Sequence, residues 1–124
     1  MIDIKNLTIT DARQKLMKGE FTASELLEAV LTNIAEKNPE VNAYLEVFDD
    51  ARTQAKAADI LIMQGATDPL LGIPVAIKDN MLYEGHLATG GSKILAGYNS
   101  TMTAHAVQAL IDAGAIIVGR ANMD

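Results

Sequence analysis

Cysteine is absent from this sequence of 124 residues. A chain without cysteine has no disulfide framework, no thiolate metal ligands and no cysteine nucleophile. Basic residues are also scarce, because 10 lysines and arginines stand against 16 acidic residues and leave a net charge of -6. No stretch of the sequence clusters its basic residues, so the positive patch that holds a phosphate backbone is missing. We therefore expect no direct nucleic-acid binding by this segment.

Long hydrophobic runs are missing as well. Residues 1–6 (MIDIKN) contain neither the basic nor the apolar region of a secretory signal, and no apolar run approaches the length of a membrane span. Hydrophobic residues make up 49% of the chain and charged residues 21%, which is typical of folded globular proteins. The sequence therefore predicts a folded cytoplasmic protein that does not bind membranes.

The first third of the sequence carries the signals of two helices. Thr8 or Thr10 can cap a first helix, because a hydroxyl before a helix accepts a hydrogen bond from a free backbone N–H. Gly19 predicts the end of that helix. Thr22 and Glu25 have the spacing of a capping box, and a second helix is expected to begin there. The two helices predict a helical hairpin.

The middle of the sequence predicts a short strand and a third helix. The pair Asn38-Pro39 is expected to end the second helix, and residues 42–48 alternate loosely, as a strand does. Asp49 or Asp50 can cap the third helix. This helix has small residues on one face, namely Ala51, Ala55 and Ala58. Gly65 is expected to follow its end.

The remaining residues alternate between strand and helix signals. Residues 74–77 and 115–118 are short apolar runs that predict strands buried on both faces, and residues 79–100 are glycine-rich and aperiodic. A helix capped by Thr101 or Thr103 is expected between the strands, which should lie in one sheet. The predicted fold is α/β, with an N-terminal helical hairpin leading into a mixed, largely parallel sheet layered with helices. We expect one domain, or part of one, with residues 1–66 mainly helical and residues 67–124 starting the α/β core.

Lys78 is the most informative candidate for chemistry, because it stands at the end of a predicted buried strand. A lysine amine serves as a base only in its neutral form, which partial burial or a neighbouring cation favours. From these residues alone, a solvated lysine paired with Asp79 is the simpler interpretation.

Three blocks of sequence alter this assessment. In order, they are residues 72–80 (GIPVAIKDN), 89–95 (TGGSKIL) and 113–124 (AGAIIVGRANMD). Their order and spacing resemble the amidase signature family, and the N-terminal helices with residues 38–44 (NPEVNAY) are similar to it too. The resemblance covers essentially the whole chain. It implies an amidase-signature fold that is incomplete here.

The resemblance implies that Lys78 is catalytic. Members of the family hydrolyse amides with a serine nucleophile, a second serine in a cis peptide, and a lysine that ends the strand where Lys78 stands. The neutral amine takes the proton of the nucleophile through the bridging serine, in place of the histidine of other triads. The family carries both serines further along than residue 124. We therefore expect this segment alone to be an inactive N-terminal fragment.

Other polar residues have simpler interpretations. Ser92 and Ser100 lack the glycine-rich elbow that exposes a nucleophile and are predicted to be turn or capping residues. His86 and His105 are predicted to lie on the surface or in loops, without ligands at metal-binding spacing. The aspartates are attributed to capping and solvation: Asp49, Asp50 and Asp79. No cofactor-binding or metal-binding residue is predicted in this chain.

Within the family, the ending Asn122-Met123-Asp124 resembles the glutamine-hydrolysing subunits of tRNA-dependent amidotransferases. That likeness implies glutamine as substrate and a heterotrimer with B and C subunits, of which the B subunit uses ATP and magnesium on misacylated tRNA. Residues 98–105 depart from the family by lacking its usual proline and aspartate. Two alternatives stay open, namely a family member that acts on another small amide and a non-catalytic module that docks a partner through the helical hairpin.

Overall fold

The computed structural model describes residues 2–123 of the chain. Along this part, helices come first and strands are interleaved later, in the order α1 (Ile9–Lys18), α2 (Ala23–Val41), β1 (Tyr44–Val47), α3 (Ala51–Met63), β2 (Pro74–Lys78), a 3-10 turn (Lys93–Leu95), α4 (His105–Asp112) and β3 (Ile116–Ala121). The predicted mixed α/β class is confirmed. In the described part of the chain, no helix has both the length and the apolar character needed to cross a membrane.

The starts of the first two helices follow the local sequence signals. The hydroxyl of Thr8 accepts a bond from the N–H of Asp11, and Gly19 closes α1 with a positive φ of 72°. At α2, Thr22 and Glu25 form the predicted capping box in both directions. These contacts are local, so the sequence predicted the capping box and limited the cap of α1 to Thr8 or Thr10.

The end of α2 differs from the prediction. Pro39 lies inside the helix, which continues to Val41. Asn42 then takes a left-handed conformation, and its N–H bonds to the carbonyl of Asn38 at 2.7 Å. The side chain of Asn38 accepts a hydrogen bond from the N–H of Tyr44 and donates one to the carbonyl of Tyr44. These two bonds fix the first residue of β1 directly after the turn. The predicted stop at Asn38-Pro39 is therefore wrong, because these bonds maintain the last turn in spite of the proline.

The three strands form one sheet in the order β1-β3-β2. β2 and β3 are parallel, as predicted, and α4 is the helix between them in the sequence; β1 and β3 are antiparallel. The predicted cap of α4 is wrong, because Ala104 takes that position and the Thr103 hydroxyl instead accepts the N–H of Glu84.

β3 is buried along nearly its whole length, whereas Ala76 of β2 is exposed. The expectation of burial on both faces is confirmed for β3 and wrong for β2. The reason is topological, since β3 lies between two strands and β2 pairs only with β3 among the described residues.

The buried side chains form two clusters. Ile116 and Val118 pack with the three N-terminal helices. Of these, α3 approaches closely because the face that it presents carries the small residues Ala51, Ala55 and Ala58. Ile117, between them in sequence, packs on the other side with Phe48, Ile77 and Val107. Adjacent residues of a strand point to opposite faces, so β3 supplies both clusters.

Candidate functional site

Lys78 is the last residue of β2 and is half-buried. It pairs with Ala121, the last residue of β3, so the two parallel strands end together at one edge of the sheet. The carbonyl of Lys78 accepts the N–H of Met81 at 3.0 Å, which turns the chain directly after the strand. Open α/β sheets commonly hold ligands outside the carboxyl ends of their strands. The strand-end position of Lys78 is confirmed, and its catalytic role stays a prediction.

Asp79 follows Lys78 and is completely buried. Its carboxylate accepts hydrogen bonds from the N–H of Thr89 at 2.9 Å, from the Thr89 hydroxyl and from the N–H of Gly91 at 3.3 Å. It also accepts a bond of 2.6 Å from Nη1 of Arg120. The interpretation of Asp79 as a capping or solvated residue is therefore wrong. A carboxylate taken out of water needs bonded partners, and here they come from distant parts of the chain.

Arg120 joins the three strands of the sheet. It lies on β3, opposite Ile77 of β2 and opposite Glu46 of β1. Its Nη1 bonds Asp79, and its Nη2 lies 3.4 Å from Oε1 of Glu46, which is partly exposed. One buried cation thus stands between a buried carboxylate and a surface carboxylate.

The electrostatics of Asp79 reflect two opposing effects. Burial by itself raises the pKa of the carboxyl group, because the charged form loses its hydration. The hydrogen bonds from Thr89, Arg120 and Gly91 outweigh burial and hold the pKa below its ordinary value of 3.8. Asp79 is therefore ionised at neutral pH and forms a buried ion pair with Arg120.

The three sequence blocks described above meet at this carboxylate. Asp79 belongs to the first, Thr89 and Gly91 to the second, and Arg120 to the third. Gly90 and Gly91 have positive φ angles of 58° and 75°, a conformation that side chains disfavour. In this turn the N–H of Gly90 bonds the carbonyl of Asp79 at 3.0 Å, while that of Gly91 bonds its carboxylate. We call the residues that hold Asp79, namely Thr89, Gly91 and Arg120, the Asp79 clamp.

A second anchor holds the same loop against α3. The ring of His86 stacks on Tyr83 with centroids 4.0 Å apart, and its Nε2 lies 3.1 Å from the carboxylate of Asp50. His86 is in a loop, as predicted, and its side chain is 19% exposed. Burial and the charge of Asp50 raise the pKa of Tyr83. Asp50 stands at the start of α3 without making a side-chain cap, since its carboxylate turns to His86.

The local serines and the second histidine are placed elsewhere. Ser92 accepts the N–H of Ile94 and so caps the 3-10 turn, as predicted. Ser100 is buried, and its backbone bonds Gly85 and His86 within the loop. His105 is exposed at the start of α4. Within residues 2–123, no group of three or more acidic or histidine side chains is arranged to hold a metal ion.

An open depression lies beside the clamp, lined by Asp79, Asn80, Leu82, Ala88, Leu95 and Tyr98. The edge of the sheet therefore offers a lysine at a strand end, an ionised carboxylate fixed next to it, and a shallow surface nearby. A lysine in such a position can transfer a proton to or from a bound group. Ser92 serves as a cap and Ser100 is buried in a turn, so neither stands on a strand-to-helix elbow that would present a nucleophile.

Sequence reasoning did not identify Arg120. The signal that could have found it is an arginine inside the otherwise apolar strand Ile116–Ala121, because a buried charge has to be paired. The sequence does not show which carboxylate pairs with Arg120, because Asp79 is 41 positions away.

Comparisons by sequence and by structure both match this chain to amidases. A family model described as Amidase matches residues 25–124. The chain is 47% identical over 127 residues to the A subunit of the glutamyl-tRNA(Gln) amidotransferase from Brachyspira hyodysenteriae, covering 99% of this chain and 26% of that protein. It is 44% identical to the protein of the same name from a Roseiflexus species, covering 98% of this chain and 25% of that protein. The chain thus spans about a quarter of the length of these curated relatives.

Among solved structures, the native peptide amidase of Stenotrophomonas maltophilia superposes with a TM-score of 0.90 at 30% sequence identity. The match covers 98% of this chain and 26% of the peptide amidase. The helices, the sheet and the loop around Asp79 therefore have the arrangement of the corresponding part of that enzyme. Residue 124, which completes the Asn122-Met123-Asp124 ending, lies outside the described residues.

Proposed function

The chain belongs to the amidase family, and from this membership we propose that it is the N-terminal part of the glutamine-hydrolysing subunit of a tRNA-dependent amidotransferase. The observation that carries the proposal is the identity of 47% and 44% to two such subunits over almost the whole chain. Identity to the peptide amidase is lower, at 30%. The ammonia released from glutamine would convert misacylated Glu-tRNA(Gln) or Asp-tRNA(Asn) into Gln-tRNA(Gln) or Asn-tRNA(Asn).

The proposed role of Lys78 is that of general base. In this scheme its neutral amine accepts a proton, through a bridging serine, from the serine that attacks the amide carbon of glutamine. The carbon–nitrogen bond then breaks, ammonia leaves with the returned proton, and water releases glutamate from the acyl-enzyme. Both serines would come from the part of the full-length protein beyond residue 124. Support for this role comes from the half-buried position of Lys78 at the end of β2, where two parallel strands end together.

The partners follow from the same proposal. An amidotransferase has to deliver its ammonia to an acceptor, and we propose that B and C subunits form a heterotrimer with this chain for that purpose. The B subunit would use ATP and magnesium on the tRNA-bound acyl group. The net charge of -6 on residues 1–124 is consistent with tRNA being held by a partner.

The test of Lys78 uses the full-length protein in its complex, with ammonia release from glutamine as the measurement. Lys78→Ala should lose glutamine hydrolysis, because nothing else would take the proton of the nucleophile. The control is Lys56→Ala, which removes an exposed lysine on α3 and should leave hydrolysis unchanged. Hydrolysis by Lys78→Ala at the rate of the control would refute the proposed role.

Substrate choice separates the leading proposal from the alternative of another small-amide amidase. The likeness to a peptide amidase is the observation that favours this alternative. Hydrolysis of a peptide amide in preference to glutamine, by the same full-length protein, would support it. The isolated segment of residues 1–124 should release no ammonia from either substrate, because a base without its nucleophile has nothing to activate. Ammonia release by the isolated segment would contradict the need for downstream serines.

A further inference from the structure

Every polar group of Asp79 is bonded. Its N–H donates to the carbonyl of Ala121 at 3.0 Å, and its own carbonyl accepts the N–H of Gly90 at 3.0 Å. Its carboxylate is held by the Asp79 clamp. A residue bonded at both its backbone and its side chain has no freedom to rotate, so the chain direction directly after Lys78 is fixed.

The position of Asp79 determines where Lys78 can point. Arg120 stands opposite Ile77 in the ladder, whereas Lys78 stands opposite Ala121. Adjacent residues in an extended chain direct their side chains to opposite faces. Attaching Asp79 to Arg120 therefore directs Lys78 to the other face of the strand end.

We propose that Asp79 is a positioning residue, whose carboxylate in the grip of Thr89, Gly91 and Arg120 fixes the direction in which Lys78 leaves β2. The proposal rests on the proposed role of Lys78 as the base. Under it, the three blocks that mark the family are brought together in order to aim one amine. The second and third blocks supply the clamp. The first block supplies Asp79, which the clamp holds, and Lys78, whose direction is thereby fixed.

The clamp has the properties that positioning requires. Its partners come from a neighbouring strand and from a turn whose two glycines have positive φ angles, so both are fixed independently of Lys78. The hydrogen bonds from Thr89, Arg120 and Gly91 keep Asp79 ionised, and only the ionised carboxylate can accept all of them. Loss of this grip would let the amine sample other directions, and a misplacement of about 1 Å lowers an enzymatic rate by about 100-fold.

The test compares variants of Asp79 and of its clamp in the full-length protein within its complex, with glutamine as substrate. Asp79→Asn and Thr89→Val each remove part of the grip and leave Lys78 in place. Each should lower kcat by about 10- to 100-fold, with KM within about twofold, because positioning of the base acts on the chemical step. Thr89→Ser keeps the hydroxyl and should restore kcat to within about threefold of the parent protein.

Leu27→Ala is the control that separates loss of stability from loss of positioning. Leu27 is fully buried in the helical cluster, so this variant should lower the melting temperature while leaving kcat of the folded protein unchanged. The positioning proposal is overturned if Thr89→Val and Thr89→Ser have equal kcat, or if the clamp variants change only KM or only the melting temperature. The Thr89 pair decides the matter if Asp79→Asn does not fold.

Lys78→Ala in the same preparation keeps the two proposals distinct. An inactive Lys78→Ala together with clamp variants of normal kcat would overturn the positioning role alone. An active Lys78→Ala would overturn the role of the base, and the positioning role with it. An inactive Lys78→Ala, a reduced kcat in Thr89→Val and recovery in Thr89→Ser would support both.

Discussion

Nη1 of Arg120 and Oδ1 of Asp79 lie 2.6 Å apart in the interior of the protein, although 41 positions separate the two residues in the sequence. The pair joins β3 to the residue that follows β2, so it closes the edge of the sheet at which Lys78 stands. Removing one member of a buried pair leaves the other charge without compensation.

Arg120→Gln should destabilise the chain by about 3–5 kcal/mol, because the buried carboxylate of Asp79 loses its countercharge. Urea unfolding of residues 1–124 measures the effect. Arg52→Gln is the matched control, since Arg52 bonds Glu28 at 2.6 Å with both side chains more than half exposed. The control should unfold at the same urea concentration as the parent. Equal midpoints for both variants would contradict a stabilising role of the buried pair.

The contribution of Asp79 to stability should depend on pH in a defined direction. Its pKa in the folded protein lies below 3.8, so the unfolded chain takes up this proton first as the pH falls. The stabilisation is therefore complete well above 3.8 and is lost as the pH falls through the lower, folded pKa. The difference in unfolding free energy between the parent and Asp79→Asn should shrink between pH 7 and about pH 3. A difference that stays constant over this range would contradict the prediction.

Gly114→Ala should destabilise the protein by about 1–3 kcal/mol. A β-carbon at Gly114 would lie 2.6 Å from the α-carbon of Leu71, and the residue has a φ of 96° that side chains disfavour. Gly97→Ala is the control, because a β-carbon there meets no atom within 4 Å and its φ is not in the left-handed region. Thermal or urea unfolding compares the two variants, and equal stability would count against a close approach of Gly114 to Leu71.

Asp59→Ala should destabilise the protein by about 1–2 kcal/mol. Asp59, on α3, accepts the N–H of Ala23 at 2.6 Å and both the N–H and hydroxyl of Ser24, so it caps α2 from another helix. Glu36→Ala removes an exposed acidic side chain of α2 and should stay within about 0.5 kcal/mol of the parent. Urea unfolding would contradict the capping role if the two variants lost equal stability.

The sequence by itself determined the features that depend on near neighbours. Short-range signals predicted a threonine cap for α1, the cap at Thr22 and the α/β order of elements. The rule that joins parallel strands through a helix predicted that residues 75–77 and 116–118 lie in one sheet. The strand-end position of Lys78 followed in the same way. Its catalytic role was implied by resemblance and stays a prediction.

Only the tertiary structure decided the pairing of distant polar groups. The partners of Asp79, the stacking of His86 on Tyr83 and the capping of α2 by Asp59 join residues brought together by packing. Spacing in a sequence carries no information about such contacts, because a side chain that looks solvated beside its neighbours finds partners only when the sheet and helices close around it. For the same reason Asp79 read as a solvated residue in the sequence and is the buried centre of the site in the fold.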